Sequence, residues 1–402
     1  MSAPTTTIDL WTDEALLDPY PLYAQLRELG PIAWMEAHDA FVITHFDEAR
    51  AALRNWSAFA SGNGVFMNGP TNDALAGRIM LCTDGEHHTR LRRVVAAPLT
   101  PKALEEVRAH VDTEAAALVE RLVDAGTFDA ATDLAEYLPV EIVSSLVGIP
   151  EGGRERMIEW ATAVFNTTGP LNERCASSLP TVFEMAAFIE QHCVPGQLRT
   201  GGWADLVWRA AETGQLEPHE PPSLMNDYMG PALDTTINGT TNLMWLLAHH
   251  PGQWDRLRAD PGLIPNAIDE ALRLESPIQS FSRSTTHETV VAGATVPAGS
   301  RVLVLFGAAN RDPSAFDQPD TFDVSRPNAS EHLALGHGRH ACPGGHLAKM
   351  EIRALLSELV RRVELITPVD EHRRLNNSIR GLDRLIVHVT PLAAAQPARV
   401  SA

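Results

Sequence analysis

A single cysteine, Cys342, stands in a glycine-rich loop that runs into a predicted helix. The loop reads Leu-Gly-His-Gly-Arg-His-Ala-Cys-Pro-Gly from Leu335 to Gly344, and helical spacing begins near Gly345. Glycines let the backbone turn sharply, and the positive end of a helix favours negative charge on the sulfur. Both effects favour a thiolate, the form of cysteine that binds metals. For an isolated cysteine, however, a small buried structural thiol is the default interpretation.

A second group of polar residues follows one face of a long, apolar predicted helix, residues 223–250. Asp227, Asp234, Asn238 and Thr241 are separated by three, four or seven residues and therefore share that face. Burying Asp234 without a partner would cost several kcal/mol. We therefore expect a functional or a paired role for Asp234, whereas the alternative is a core helix with a few satisfied hydroxyls.

Two charged pairs mean little by themselves. Glu270 and Arg273 are three residues apart on one predicted helix, and His88 and Arg92 are four apart on another. Each spacing brings the two side chains to the same helix face, but exposed pairs of this kind are common. Their meaning depends on the other motifs of the chain.

The order of the motifs resembles the cytochrome P450 family over the whole chain. The motifs are His88/Arg92, Leu-Asp234-Thr235-Thr236, Glu270-x-x-Arg273, Asn310-Arg-Asp-Pro313, Phe322-Asp-Val-Ser-Arg326 and the cysteine loop. The resemblance implies a mainly α protein with small β-sheets, the cytochrome P450 fold, in which a long central helix lies over a haem. We expect residues 1–402 to form one domain of this kind, with a disordered tail at residues 391–402.

The resemblance also implies which residues bind the cofactor. Cys342 would be the axial thiolate ligand of haem b, and the usual partners of the haem propionates would be His88, Arg92, Arg283 and His340. An anionic thiolate pushes electron density toward cleavage of the O–O bond of O2. The implied activity is that of a monooxygenase, which inserts one atom of O2 into a substrate.

Five further residues take family roles in the same way. Asp234 and Thr235 would be the acid–alcohol pair that delivers protons during catalysis. Glu270, Arg273 and Arg326 would form the buried structural triad of the family. A haem-thiolate protein that does not oxygenate, or one that uses peroxide alone, is an alternative, and the acid–alcohol pair argues against it.

Three residues depart from the family pattern. Leu335 replaces the usual Phe seven residues before the cysteine, and Pro343 has no N–H to donate to the sulfur. We expect a relatively electron-rich thiolate and a lower iron potential. Pro231 lies one turn before Thr235, where it should free the carbonyl of Asp227 and accentuate a kink.

Four segments resemble the bacterial enzymes that demethylate 4-methoxybenzoate, namely residues 164–173, 233–239, 275–281 and 376–381. Those enzymes bind the substrate carboxylate with an Arg and an Arg-Ser pair, and the corresponding positions here are Asn63 and Asn226-Asp227. An anion would meet a carboxylate at this place. We therefore favour a small neutral or phenolic methoxyarene, which is O-demethylated or hydroxylated, over an aromatic acid held by different anchors.

Ten residues are candidate walls of the substrate pocket, although ordinary core packing explains each of them equally well. They are Val65, Phe66, Met67, Val164, Phe165, Thr168, Tyr228, Ile278, Phe281 and Ile379.

Electrons must come from another protein, because the sequence shows no dinucleotide-binding glycine motif and no cysteine set for an iron–sulfur cluster. The resemblance implies a ferredoxin and an NAD(P)H-dependent ferredoxin reductase as partners. The basic residues Arg90, Arg93, Arg339 and Lys349 would lie near the cysteine side of the haem. They are candidates for contact with an acidic partner, and solvated surface charges are the alternative.

A zinc protein is a rival interpretation of the cysteine loop. His337, His340, Cys342 and His346 lie within ten residues and are plausible zinc ligands. The order of the other motifs would then be a coincidence.

The composition sets the class of protein. The 402 residues are 44% hydrophobic, enough for a large core, and 32 basic against 51 acidic residues give a net charge of −19. This charge argues against general affinity for nucleic acid or for anionic membranes. The sequence shows no signal-peptide pattern, no apolar run of spanning length and only four scattered cysteines. We predict a cytoplasmic protein that binds neither nucleic acid nor membrane.

These residues must be positioned mainly by helices. The apolar spacing predicts helices over residues 20–29, 47–53, 87–97, 101–125, 133–146, 153–165, 178–192, 223–250, 264–274 and 345–363. Strands are predicted over residues 32–35, 41–44, 289–292, 301–306 and 384–390. The strand at 289–292 is expected to pair with that at 301–306 through the Pro297-Ala-Gly-Ser turn.

Overall fold

Helices dominate the protein in the computed structural model, which describes residues 2–393. The first nine helices are α1 Asp13–Leu17, α2 Tyr20–Leu29, α3 Phe46–Arg54, α4 Gly69–Leu75, α5 Gly85–Val95, α6 Pro101–Ala125, α7 Ser144–Val147, α8 Glu151–Arg154 and α9 Met157–Thr167. The others are α10 Glu173–His192, α11 Trp203–Glu212, α12 Pro221–Met229, α13 Pro231–His249, α14 Pro251–Ala259, α15 Ile264–Leu274, α16 Phe306–Ala309 and α17 Gly345–Arg362. The predicted mainly α class is confirmed.

The strands form small sheets. They are β1 Thr5–Thr6, β2 Ile32–Met35, β3 Ala40–Ile43, β4 Phe59–Ala60, β5 Thr127–Asp129, β6 Ser280–Thr285, β7 Thr289–Val291, β8 Ala294–Val296, β9 Arg301–Leu305, β10 Val363–Arg373 and β11 Leu382–Pro391. One sheet has the order β1-β2-β3-β9-β6-β4, a second the order β10-β11-β5, and β7 pairs with β8 alone. Pro391, predicted to begin a disordered tail, is paired with Val363 at the end of β11, and residues 394–402 lie outside the described part.

The predicted partner of the strand at 289–292 is wrong. β7 pairs with β8 because Ala292 and Gly293 both have positive φ, 47° and 84°, as a two-residue hairpin turn requires. β9 instead pairs with β3 and with β6, which places Arg283 opposite Val302.

The long helix predicted over residues 223–250 is two helices. α12 ends before Gly230, whose N–H bonds to the carbonyl of Asn226 at 3.0 Å, and α13 begins at Pro231. Proline is favoured at the first position of a helix because its missing N–H would have no partner there. The helix is therefore interrupted at Gly230, whose backbone stays in the helical region with φ of −74° and ψ of −67°, next to the kink that was expected at Pro231.

The helix predicted over residues 133–146 is also irregular. Wide π-type turns cover Ala130–Ala135 and Pro139–Val143, and regular helix follows only in α7. Pro139 cannot donate a hydrogen bond to the preceding turn, which favours an irregular helix at this place.

The core surrounds α13. This helix packs against α9, α12, α15, α17 and the sheet strands β10 and β11. Its residues Leu233, Ile237, Leu243 and Leu247 are buried in the largest apolar cluster of the described chain. α13 therefore runs through the protein interior, where each polar side chain on it needs a partner.

A buried carboxylate joins the N-terminal helices to the C-terminal sheet. Glu275, which is 3% exposed, accepts bonds from Arg380 Nε at 2.8 Å and Arg311 Nη2 at 3.1 Å, and Arg373 Nη1 lies 3.5 Å away. Arg311 and Arg380 also stack on the ring of Tyr20 in α2, with Cζ 3.4 and 4.8 Å from its centroid. One carboxylate therefore balances three guanidinium groups from distant parts of the chain.

We expect Glu275→Gln to lower the free energy of unfolding by about 3 to 5 kcal/mol, because it leaves buried cations unpaired. Asp320→Asn is the matched control, since Asp320 bonds to the same Arg311 but its side chain is 68% exposed, and it should cost less than about 1 kcal/mol. Urea unfolding of both variants measures the difference. Equal losses in the two variants would contradict the predicted role of Glu275.

Candidate functional site

The cysteine loop is a tight turn closed by the backbone. The N–H of Cys342 bonds to the carbonyl of Leu335 at 2.7 Å, and Gly336 and Gly338 have φ of 69° and 71°. A Cβ on Gly338 would lie 2.9 Å from the carbonyl oxygen of Leu53, so only glycine fits where the loop approaches α3. The loop thus presents Cys342 in one conformation at the start of α17.

Cys342 has an exposed side chain at the start of α17. Desolvation by the surrounding protein raises the pKa of its thiol, because it disfavours the charged form. Hydrogen bonds from the N–H groups of Gly344 and Gly345, and the nearby charge of Arg92, act in the opposite direction on this pKa. Pro343 has no N–H to donate to the sulfur, but the N–H groups of Gly344 and Gly345 do donate to it. The sequence did not predict these two hydrogen bonds.

Two histidines lie side by side near this loop. The rings of His88 and His340 have centroids 4.2 Å apart, and His340 Nε2 lies 3.3 Å from Asp84 Oδ1. His88 is 2% exposed, and its Nε2 has no partner in residues 2–393. Burial, followed by the charges of His340 and Arg92, lowers the pKa of His88 to about 4.

Two arginines complete the group. Arg283 is 4% exposed and donates to the carbonyl of Ser282 at 2.7 Å, and no ion pair reaches it within residues 2–393. Burial lowers its pKa to about 10. Arg92 Nη2 donates to the carbonyl of Ala341, beside Cys342, at 2.7 Å.

A buried cation without an anion requires a negatively charged partner, and a buried imidazole nitrogen without a partner requires a hydrogen-bonding group. The two carboxylates of a haem would be suitable partners for Arg283 and His88, and the thiolate of Cys342 would be a suitable ligand for its iron. The residues of this site therefore fit the cofactor that the sequence resemblance implies.

Asp234 lies fully buried in a network of three partners. Its Oδ1 accepts from Arg374 Nη2 at 2.7 Å and from Asn238 Nδ2 at 2.8 Å, and its Oδ2 accepts from Thr162 Oγ1 at 3.2 Å. Arg374 Nη1 in turn donates to Thr162 Oγ1 at 2.8 Å. The sequence indicated that Asp234 needs a partner but could not identify Arg374, which is 140 residues away.

Thr235 has different surroundings. Its side chain is partly exposed, and its Oγ1 donates to the carbonyl of Pro231 at 2.9 Å. This carbonyl belongs to the first turn of α13, directly after the helix break. The structure therefore places Asp234 inside an ion-pair network and leaves the hydroxyl of Thr235 accessible.

The three residues of the expected structural triad lie together. Arg273 donates to Glu270 from Nε at 2.7 Å and from Nη2 at 2.9 Å, and Arg326 Nε lies 2.9 and 3.0 Å from the two Glu270 oxygens. All three side chains are at most 6% exposed. The remaining guanidinium N–H groups bond to backbone carbonyls between residues 310 and 321.

Most candidate pocket walls lie in two adjoining apolar clusters. Phe165, Ile278 and Ile379 belong to one cluster, and Ile278 also pairs with Ile379 through a β-bridge. Val65 and Phe66 belong to the other, and Phe281 packs against both clusters. These six residues form a continuous apolar wall.

The other four candidates lie apart from this wall or at its edge. Thr168 bonds through Oγ1 to the carbonyl of Phe165 at 2.8 Å and to the hydroxyl of Ser378. The remaining three pack elsewhere: Val164 against the main core, Met67 against the N-terminal cluster, and Tyr228 against Trp203 with its hydroxyl on the carbonyl of Val95 at 2.8 Å.

The residues of the rival zinc site do not form a metal centre here. Across residues 2–393, no three His, Cys, Asp or Glu side chains lie in an arrangement that could hold a metal ion.

Glu351 is a buried acid on α17. It lies on the buried face of α17, because it is four residues from both Leu347 and Leu355. It is 1% exposed, neither carboxyl oxygen has a partner in the described chain, and burial raises its pKa to about 8.

Glu351→Gln should change the pH dependence of stability. The pKa of Glu351 is about 8 in the folded protein against 4.5 ordinarily, so the folded carboxyl retains a proton that the unfolded chain releases between these values. Stability contributed by this group is complete below pH 4.5 and is lost as pH rises to 8. Relative to the parent, the variant should gain up to about 5 kcal/mol between these pH values.

Urea unfolding at pH 5 and pH 8 measures this gain. Glu358→Gln on the same helix is the control, since Glu358 is partly exposed and paired with Arg362. An identical pH dependence in the parent and in Glu351→Gln would show that the group is not buried as a neutral acid.

Comparisons with known proteins agree with this site. The family profile described as Cytochrome P450 matches residues 262–386. The chain is 34% identical over 394 residues to the cytochrome P450 CYP199A2 of Rhodopseudomonas palustris, covering 96% of this chain and 95% of that protein. It is 32% identical over 406 residues to the beta-dihydromenaquinone-9 omega-hydroxylase of Mycobacterium bovis, covering 97% and 80%.

A solved structure has the same fold. The cytochrome P450 CREJ, in complex with (4-ethylphenyl) dihydrogen phosphate, superposes with a TM-score of 0.84 at 27% identity, over 96% of this chain and all of that one. Within residues 2–393, no helix is both long and apolar enough to cross a bilayer. The chain has the cysteine loop, the buried residues His88 and Arg283 beside it, and relatives that align over nearly its whole length. It belongs to the cytochrome P450 family of haem-thiolate monooxygenases.

Proposed function

We propose that the enzyme oxidises a small neutral or phenolic methoxyarene, by O-demethylation or hydroxylation. The observation that carries the proposal is that neither Asn63 nor Asn226-Asp227, the two positions expected to bind a substrate carboxylate, has a cationic side chain. Asn63 Nδ2 donates to Ser284 Oγ at 3.1 Å, and the carboxylate of Asp227 accepts from the N–H of Met80 at 3.1 Å. An acid placed there would face a second carboxylate.

The cofactor would be held by five residues of this chain. Cys342 would provide the thiolate ligand, and the propionates would be bound by His88, Arg92, Arg283 and His340. When bound, haem b supplies the activation of O2, and the protein supplies orientation and protons. The apolar wall built around Phe281 would hold an aromatic ring by contact and exclude water.

Asp234 and Thr235 would move protons into this dry site. Because Arg374, Asn238 and Thr162 all bond to Asp234, these partners hold its side chain in the network. Proton transfer would require the Asp234 side chain to turn from Arg374 toward the Thr235 hydroxyl. The break before Pro231 would give the first turn of α13 the freedom for this movement.

Asp234→Asn should lower kcat about 100-fold, the range for loss of a general acid. The variant should also show a larger solvent deuterium isotope effect, because proton delivery becomes rate-limiting. Substrate affinity, followed by the low-spin to high-spin shift, should stay within about threefold, since the residue does not line the apolar wall. A fall in affinity without a fall in kcat would assign Asp234 to binding instead.

The substrate class is tested by ligand binding and product analysis on the haem-loaded enzyme. We expect 1,4-dimethoxybenzene or 4-methoxyphenol to shift the haem to high spin, and to release formaldehyde in the presence of NADH, a ferredoxin and its reductase. 4-Methoxybenzoate should bind at least tenfold more weakly, a difference of about 1.4 kcal/mol. A strong shift by 4-methoxybenzoate alone would overturn the proposal.

Oxidation of an aromatic acid is the second candidate, and Arg301 favours it. This arginine donates to the carbonyl of Gly64 at 2.7 Å, next to the wall residue Val65, and no carboxylate pairs with it in the described chain. If 4-methoxybenzoate binds tightly, Arg301→Gln should abolish that binding and leave the binding of neutral methoxyarenes unchanged.

We further propose that a ferredoxin delivers the electrons on the cysteine side of the molecule. Two of the four basic candidates have internal partners: Arg90 donates twice to Glu220, at 2.6 and 2.8 Å, and Lys349 pairs with Asp269. Arg339 instead stacks on the ring of Trp56, with Cζ 4.5 Å from the centroid. Arg339 and Arg93 are therefore the better candidates for contact with an acidic partner.

A further inference from the structure

Asp227 lies at one end of the apolar wall. It is on α12, and its charge acts on the nearby thiol of Cys82. Cys82 belongs to the same small cluster as Val65 and Phe66, against which Phe281 packs. The carboxylate of Asp227 is therefore a neighbour of the residues proposed to hold the aromatic ring.

The protein donates hydrogen bonds to only about half of the acceptor positions of the Asp227 carboxylate. Backbone N–H groups of Met80, at 3.1 Å, and of Leu81 bond to it, and no Arg, Lys or His pairs with it within residues 2–393. A carboxylate can accept about four hydrogen bonds, so two acceptor positions remain. Burial raises the pKa of Asp227 to about 7, and the residue is nevertheless partly exposed, so its carboxylate can be reached from outside the packed core.

The position of Asp227 suits one end of a small substrate. Asp227 lies near the end of α12 and Thr235 near the start of α13, so the two residues flank the interruption at Gly230. A hydrogen bond from Asp227 would hold one end of a single para-substituted ring, and the reacting carbon at the other end would lie toward Thr235.

We infer that Asp227 accepts a hydrogen bond from a phenolic hydroxyl of the substrate and thereby selects phenols over their methyl ethers. The inference rests on the proposed function, because it assigns a substrate class to the same pocket. A hydrogen bond from a phenolic hydroxyl stabilises a desolvated carboxylate. A methyl ether has no donor, so this hydrogen bond is lost when the ether binds instead of the phenol. An anionic substrate is repelled at the same position.

The test compares ligand pairs that differ only in the donor. One pair is 4-methoxyphenol and 1,4-dimethoxybenzene, and the other is 4-ethylphenol and 4-ethyltoluene. Spin-shift titrations of the haem-loaded enzyme at pH 8 give each Kd. At this pH Asp227 is ionised, whereas the Cys82 thiol, whose pKa burial raises to about 12, and the Tyr228 hydroxyl beside it stay neutral.

The parent should bind each phenol about tenfold to a hundredfold more tightly than its partner without a donor, as expected for a hydrogen bond to a charged group. Asp227→Asn should reduce this preference to less than about threefold, because the amide oxygen can still accept from Met80 and Leu81 but has no charge. Its melting temperature should stay close to that of the parent. Asp205→Asn, the same change in an α11 carboxylate that pairs with Arg209, should retain the preference.

An unchanged preference in Asp227→Asn, or an equal loss of affinity for both members of a pair, would overturn the assignment of Asp227. The ethyl pair keeps this test separate from the reaction. If 4-ethylphenol is preferred through Asp227 but no methoxyarene releases formaldehyde, the demethylation proposal fails and the assignment stands. If methoxyarenes are demethylated and the preference does not depend on Asp227, only the assignment fails.

Discussion

Ion pairing of buried carboxylates with arginines is the interaction on which this structure depends. Glu270 is paired with Arg273 and Arg326, and Glu275 with Arg311 and Arg380. These groups join segments that are far apart in sequence, and their guanidinium N–H groups also satisfy backbone carbonyls in the connecting loops. Because an unpaired buried charge is costly, each group fixes the relative position of every segment it contacts.

Against this background, the unpaired groups mark the functional region. Within residues 2–393, His88 Nε2 has no hydrogen-bond partner and Arg283 has no ion pair, and both residues lie near the cysteine loop. Asp227 has no cationic partner in the same part of the chain and lies beside the apolar wall. Arg301 lies nearby and would suit an acid, so the proposed choice between a phenolic and an acidic substrate rests on Asp227 and Arg301.

The break between α12 and α13 links the fold to catalysis. Gly230 and Pro231 end one helix and begin the next, and the hydroxyl of Thr235 bonds to the carbonyl of Pro231. Thr240 and Thr241 make the same kind of hydrogen bond to the carbonyl four residues back, deeper in α13. The same segment also carries Asp234 into its network with Arg374, so proton delivery and helix geometry depend on each other.

The sequence alone determined the family and the elements with strong local signals, and it predicted the cysteine ligand. The bounds of α2, α6 and α15 match their predictions, because apolar spacing and terminal residues specify such helices locally. Strand β6 was missed, because Ser280–Thr285 is mostly polar and becomes a strand only between β9 and β4.

Only the tertiary structure decided the partners of the charged residues. Arg374 is 140 residues from Asp234, and the burial of Glu351 depends on which face of α17 meets the core. It also showed that Gly344 and Gly345 replace the hydrogen bond that Pro343 cannot give to Cys342. Local sequence specifies backbone preference and motif order, whereas desolvation and long-range pairing arise only when distant segments pack together.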